Sequence, residues 1–178
     1  MAFLTDDELK QVVEQVFKAR ETTLEAAASS HSVQDLVQTV QRMRHQMNTT
    51  VDGLPPHAFE PQPDDAEGNE VWNAGQIISH IIASQIRMTE NLDKLVDFKV
   101  KPDTGDLKTE DELDMSGTRS AIKFATKALT STLKGIPEDA DLSKTVDAGI
   151  FGEMGVRGWL LLTAVHEMDH VQQLRSLA

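Results

Sequence analysis

At 178 residues, with 39% hydrophobic and 26% charged residues, the chain fits one soluble domain, residues 1–178, with an apolar core of its own. A net charge of −12 with no offsetting basic cluster argues against nucleic acid and anionic lipid as partners, and the lack of cysteine excludes disulfides, thiolate ligands and a cysteine nucleophile. No apolar run reaches the length of a membrane span and the acidic start MAFLTDDELK lacks the apolar stretch of a secretory leader, so a cytoplasmic protein is expected.

Strand signals are scarce and helical periodicity is frequent. Thr5 and Glu8 make a capping-box pattern that predicts the start of a first helix. It carries Leu9, Val12, Val13, Val16, Phe17 and Leu24 at helical spacing and is expected to end near Ala28. A second helix is expected from about Ser32 to Val51, with Val33, Leu36, Val37, Val40, Met43 and Met47 inward. Gly53 and the pair Pro55–Pro56 stop it. The stretch PPHAFEPQPDDAEGNE, residues 55–70, reads as an exposed loop, long enough to border a site. Asn73, with Gln76 as its box partner, opens a third helix that runs to about Asp97. Ile77, Ile81, Met88, Leu92 and Leu95 mark its buried stripe. Residues 98–114 form a polar connection. A fourth helix is expected after Ser116, ending at the Lys134–Gly135 C-cap signal. A loop containing AGIFGEMG then leads into a fifth helix, from about Val156 almost to the last residue. These elements predict an all-α fold: a four-helix bundle over residues 32–178, with an additional N-terminal helix over residues 1–30 packed beside it or used for pairing.

The six histidines have different settings. On the last helix, at about 100° per residue, His170 falls about 40° from His166, and both lie within the stripe marked by Trp159, Leu162 and Leu177. An i, i+4 pair lets two imidazoles converge on one ion at bond lengths of about 2.0–2.1 Å. The alternative is a pair of core histidines satisfied by separate hydrogen bonds. On the third helix His80 lies about 60° from Ile77, on a flank with Ser84 and Asn91. It is the natural third ligand, and three histidines with an open position make a reactive site rather than a closed structural one. His31, His45 and His57 have no such support: His31 lies between helices, His45 reads as surface, and His57 sits in the proline-rich loop.

The segment HEMDH matches the H-E-x-x-H pattern of zinc proteases. The residues after it, VQQLRSLA, include no usual third ligand, so that ligand must come from upstream. No strand offers an edge for an extended peptide. Glu167 lies towards the edge of the buried stripe and also reads as a solvated helix residue. Proteolysis is therefore the weakest reading.

The residues assembled so far resemble the DinB-like (YfiT-like) superfamily of bacterial helical metalloproteins. The resemblance is carried by WNAGQIISHIIASQ, with Trp72 and His80, and by HEMDHVQQL, with His166, His170 and Gln173. It spans roughly residue 32 to the end and leaves the first helix outside. It implies a four-helix bundle with a three-histidine site for zinc or nickel, and a homodimer. It also implies thiol-dependent transferase or isomerase chemistry on a small-molecule substrate, with a low-molecular-weight thiol as cosubstrate.

On that basis Asp169 and Glu167 are candidate acid–base helpers, with Asp169 also a candidate to orient a ligand; both are equally compatible with simple solvation. Gln173, one turn beyond His170, is a candidate to hydrogen-bond the site, or a polar residue at the core edge. Arg87 lies about 20° from His80 and is a candidate for holding a carboxylate of the cosubstrate, or for a surface ion pair with Glu90. Trp72 and Trp159 read as packing residues, Trp159 as a wall of the pocket. The reading from a different class is a non-catalytic, metal-stabilised bundle acting in binding or stress.

Overall fold

The computed structural model describes residues 3–61, 72–98 and 113–178. The elements are α1 (Asp6–Val12), α2 (Leu24–Ala28), α3 (Val33–Gly53), α4 (Ala74–Leu95), α5 (Met115–Gly135), β1 (Val146–Asp147), β2 (Glu153–Met154) and α6 (Val156–Arg175). Among the described residues the fold is all-α apart from the two-residue antiparallel ladder of β1 and β2. Among the described residues no helix is long and apolar enough to cross a membrane.

The long helices pack in a closed cycle: α3 against α6, α6 against α4, α4 against α5, and α5 back against α3. This is the expected four-helix bundle. Two helices bury the stripes that their sequence spacing predicts: Leu36, Val40, Met43 and Met47 on α3, and Ile77, Ile81, Met88 and Leu92 on α4. On α6 the buried face is shifted from the expected one: Leu160, Leu161, Ala164, Val165, Met168, Val171 and Leu174 are buried with Trp159 and His170, whereas Leu162, His166 and Leu177 are half-buried at its edge. Two apolar clusters result. One centres on Leu36, Met88 and Leu160; the other on Met47, Ile78 and Leu174.

Between the clusters runs a polar layer. Arg44 on α3 and Glu167 on α6 are each 2% exposed. The Arg44 guanidinium donates from Nε to both Glu167 carboxylate oxygens, at 3.1 and 3.2 Å, and from Nη2 to Oε1. Its Nη1 donates to Gln85 Oε1 on α4 at 2.8 Å. Gln85 Nε2 in turn donates to the Ala125 carbonyl on α5 at 3.0 Å. One chain of hydrogen bonds thus ties all four helices at a single level. Its buried charges are compensated, as burial requires.

The N-terminal region departs from the expected single helix. Its capping box, Thr5 with Glu8, forms as predicted. The helix then continues as a π-helical stretch, Val13–Lys18, and breaks where Arg20 takes a φ of 56°. Thr23 caps a new helix through the Ala26 N–H. A second cap-forming residue so close to the end of the first helix offers the backbone a competing start.

Both short helices pack on α6. Gly155 begins α6 without a side-chain cap of its own, and Glu25 of α2 supplies the missing acceptor. Its Oε2 accepts from the Gly155 N–H at 2.8 Å and the Gly158 N–H at 3.2 Å. A Cβ at Gly158 would stand 2.4 Å from that oxygen, so the glycine keeps the approach open. A carboxylate here satisfies two orphan donors and faces the positive end of the helix dipole. Glu25→Ala is expected to cost about 1–2 kcal/mol, a fall in Tm of about 5 °C, checked by thermal melting.

Two further boundaries differ from expectation. Asp114, rather than Ser116, caps α5, accepting from the Gly117 N–H at 2.7 Å. Both residue types cap well, and the one that comes first starts the helix. The expected exposed loop over residues 55–70 begins with a 3-10 turn, Pro56–Phe59, that buries Ala58 and Phe59; the rest of it beyond Pro61 lies outside the described residues. So does most of the polar connection over residues 98–114.

Candidate metal centre

His80 projects from α4 and His166 and His170 from α6, and the neighbouring packing of these two helices brings the three rings together. The Nε2 atoms of His80 and His166 are 3.0 Å apart, and those of His166 and His170 are 3.2 Å apart. Ring centroids lie 5.0, 5.0 and 4.6 Å from one another, each pair edge-on rather than stacked. An ion holding two imidazoles at about 2.0–2.1 Å and a tetrahedral angle sets their nitrogens about 3.3 Å apart. The observed separations match that requirement closely.

Hydrogen-bond chemistry supports the same fit. Gln173 Oε1 lies 2.8 Å from His170 Nδ1. An amide oxygen only accepts, so Nδ1 carries the proton and the Nε2 lone pair faces the other two rings. His166 Nε2 then has a neighbouring nitrogen on each side. A single proton shared among three converging Nε2 atoms makes at most one well-aligned bond. A cation satisfies all three lone pairs at once. Simple core histidines, each with its own partner, are not what the geometry provides.

The electrostatics favour the neutral forms of His80 and His166. Burial, with the nearby His170 and Arg87, lowers the His80 pKa below the usual histidine value. His166 is pushed down to about 3, first by burial and then by His170, His80 and Arg87. Neutral imidazoles are the form that ligates.

One side of the cluster is covered. The Trp72 ring tilts over His80 at 5.1 Å and stacks parallel to His170 at 6.5 Å. On another side His80 and His166 line a cavity of about 240 Å³. Its walls include Met88, Trp159, Leu162 and, from the hairpin before α6, Phe151. Phe151 is held edge-on by Phe17 of the π-helical stretch, with centroids 6.0 Å apart. The N-terminal region thus supports one wall of the cavity.

The remaining candidates fall in different places. Gln173 takes the orienting position at His170. Asp169, the sequence's candidate for orienting a ligand, lies on the exposed face of α6, one residue before His170. Glu167 is not a solvated residue: it is buried against Arg44. In an H-E-x-x-H protease that glutamate serves as general base, whereas here its two oxygens are engaged by a guanidinium. Arg87 is exposed and lines the cavity. His45 and His57 are exposed and His31 is half-buried, all three outside the cluster.

Arg44 and Gln85 escape a reading based on sequence, yet both sit on apolar stripes. Arg44 follows Met43 and stands three residues before Met47; Gln85 stands four residues after Ile81 and three before Met88. A charged or amide side chain in such a position signals a buried partner.

No curated protein and no solved structure gives a significant match to the chain. A family model described as the DinB superfamily matches residues 39–174. The match takes in Arg44, all three histidines and Gln173, and leaves α1 and α2 outside. With the bundle, the three converging imidazoles and a match over most of its length, the chain belongs to the DinB superfamily.

Proposed function

We propose that this protein is a divalent-metal enzyme that activates a thiol for attack on a small electrophilic substrate. The observation that carries the reading is the meeting of three Nε2 atoms beside a cavity. His80, His166 and His170 would hold the ion, zinc or nickel. When bound there, it supplies the Lewis acidity that makes a thiol or water nucleophilic near neutral pH.

The chain's own residues do the rest. Gln173 fixes the His170 ring and its tautomer. Trp72 closes one side of the cluster. Apolar walls such as Met88, Trp159 and Leu162 keep bulk water from the reacting groups. The chain has no cysteine, so the thiol comes from a cosubstrate. Proton transfer is not assigned to Asp169, which is exposed and does not line the cavity, or to Glu167, which lines it with both oxygens engaged by Arg44. The homodimer implied by the family resemblance belongs to the same proposal and is checked by analytical ultracentrifugation.

Elemental analysis of purified protein tests the site, with about one ion per chain expected and loss of it in His80→Ala. Turnover of monochlorobimane with a small thiol tests the chemistry. It is expected in the wild type and absent in His80→Ala. An ion without turnover across a range of thiols and electrophiles leaves a metal-stabilised bundle. No ion after reconstitution removes the basis for both.

A further inference from the structure

The cavity beside the histidines differs in charge from the molecule around it. The protein carries a net charge of −12. Among the described residues Glu167 is the only carboxylate that lines this cavity, and it is neutralised by Arg44. Arg87 lines it too, and among the described residues the Arg87 guanidinium joins no ion pair. The walls between Arg87 and the histidines are mostly apolar, with Ile81, Met88, Phe151, Trp159 and Leu162, and carry the neutral polar groups of Ser84, Gln85 and Thr163.

Seven residues separate His80 from Arg87, two helical turns, or about 10 Å along α4. The cavity volume is about 240 Å³. A 150 Å³ apolar cavity accepts benzene, so this one has room for about ten non-hydrogen atoms. A molecule of that size reaches from the imidazole cluster to the guanidinium.

We infer that the cavity selects a small organic monoanion with a compact apolar body, its carboxylate on Arg87 and its apolar part between Trp159, Met88 and Phe151. This rests on reading the cavity as the substrate chamber of the histidine site. The guanidinium offers paired donors that match a carboxylate. A positive end within an acidic protein also draws anions to this opening and away from the rest of the surface. The shared chemistry is the carboxylate, whether the thiol or the electrophile carries it.

The test uses metal-free protein, so that the ion itself does not bind the probe. Calorimetric titration compares hydrocinnamate with its neutral amide, and mercaptopropanoate with its neutral amide, at fixed ionic strength. At least one acid is expected to bind about tenfold more tightly than its amide. A preference in the mercapto pair assigns the anion to the thiol, and one confined to hydrocinnamate assigns it to the second substrate. Arg87→Ala should abolish the preference, Arg87→Lys should keep part of it, and Lys94→Ala, an exposed cation on the same helix, should leave it intact. Equal binding of acid and amide in both pairs overturns the inference. So does a preference that survives Arg87→Ala, or no detectable binding of either acid at millimolar concentration. Metal analysis is read separately. An ion present without anion preference sinks only the inference, and preference without an ion sinks only the proposed function.

Discussion

Glu167→Ala is expected to destabilise the fold by about 3–5 kcal/mol, lowering the melting temperature by about 10–15 °C. The variant leaves the Arg44 guanidinium, 2% exposed, with no opposite charge and two donors, Nε and Nη2, unpaired. An uncompensated buried charge is far more costly than the pair is stabilising. The contrast with the surface is large. Lys10–Asp7 and Lys18–Glu14 are exposed pairs, and loss of either is expected to cost under about 1 kcal/mol. A triple variant separates the cost of breaking the network from the worth of having it. Arg44→Met, Gln85→Leu and Glu167→Leu together remove every charged member and the amide that depends on them. The triple variant should melt within a few degrees of the wild type, and well above Glu167→Ala. Should Glu167→Ala melt like the wild type, the ion pair is not the buried link described here. The same comparison reads specificity. Glu167 adjoins His166, and Gln85 lies five residues after His80, so the network fixes the axial level of α4 against α6. A triple variant that is stable but binds metal more weakly would show that the polar layer sets the histidine geometry rather than the stability.

Much of this architecture is legible in the sequence because helix periodicity is local. The stripes on α3 and α4, and the capping boxes of Thr5–Glu8 and Asn73–Gln76, are set by residues within a few positions of one another. The histidine cluster is legible for a related reason. His166 and His170 share a face by spacing alone, and His80 stands beside the stripe of the other helix. What escapes is pairwise and distant. Arg44 meets Glu167 across 123 residues, and Glu25 meets Gly155 across 130. A place on an apolar stripe signals that Arg44 is buried, but no local pattern names the residue it meets. Glu167 therefore reads equally as a solvated residue or an acid–base helper. The break at Arg20 escapes because the apolar spacing continues through it, and only the competing cap at Thr23 betrays it. The β1–β2 ladder pairs two residues with two, too few for any alternation to register.

The second large effect is acid destabilisation of the metal-free protein. In the unfolded chain a histidine takes up a proton near pH 6.5, whereas folded His166 does so only near pH 3. Between these limits the unfolded state binds the extra proton, so stability rises with pH and falls on acidification. The loss begins as pH drops through 6.5 and is complete below about 3. One proton is worth about 1.4 kcal/mol per pH unit, so His166 alone accounts for about 5 kcal/mol over the window. His80 is shifted in the same direction and adds to it. Carboxylates also titrate here, and His166→Gln isolates the imidazole contribution, since it should flatten the slope of urea-unfolding stability against pH. Saturating zinc should raise wild-type stability near neutral pH by about 4 kcal/mol at a thousandfold excess over Kd. Protons compete for the same three nitrogens, so that increment should vanish as the pH approaches 4. If wild type and His166→Gln lose stability in parallel on acidification, and zinc shifts neither, the three rings are not a neutral, converging ligand set. If the slopes differ but zinc still has no effect, the rings are buried and neutral, and only their claim on an ion fails.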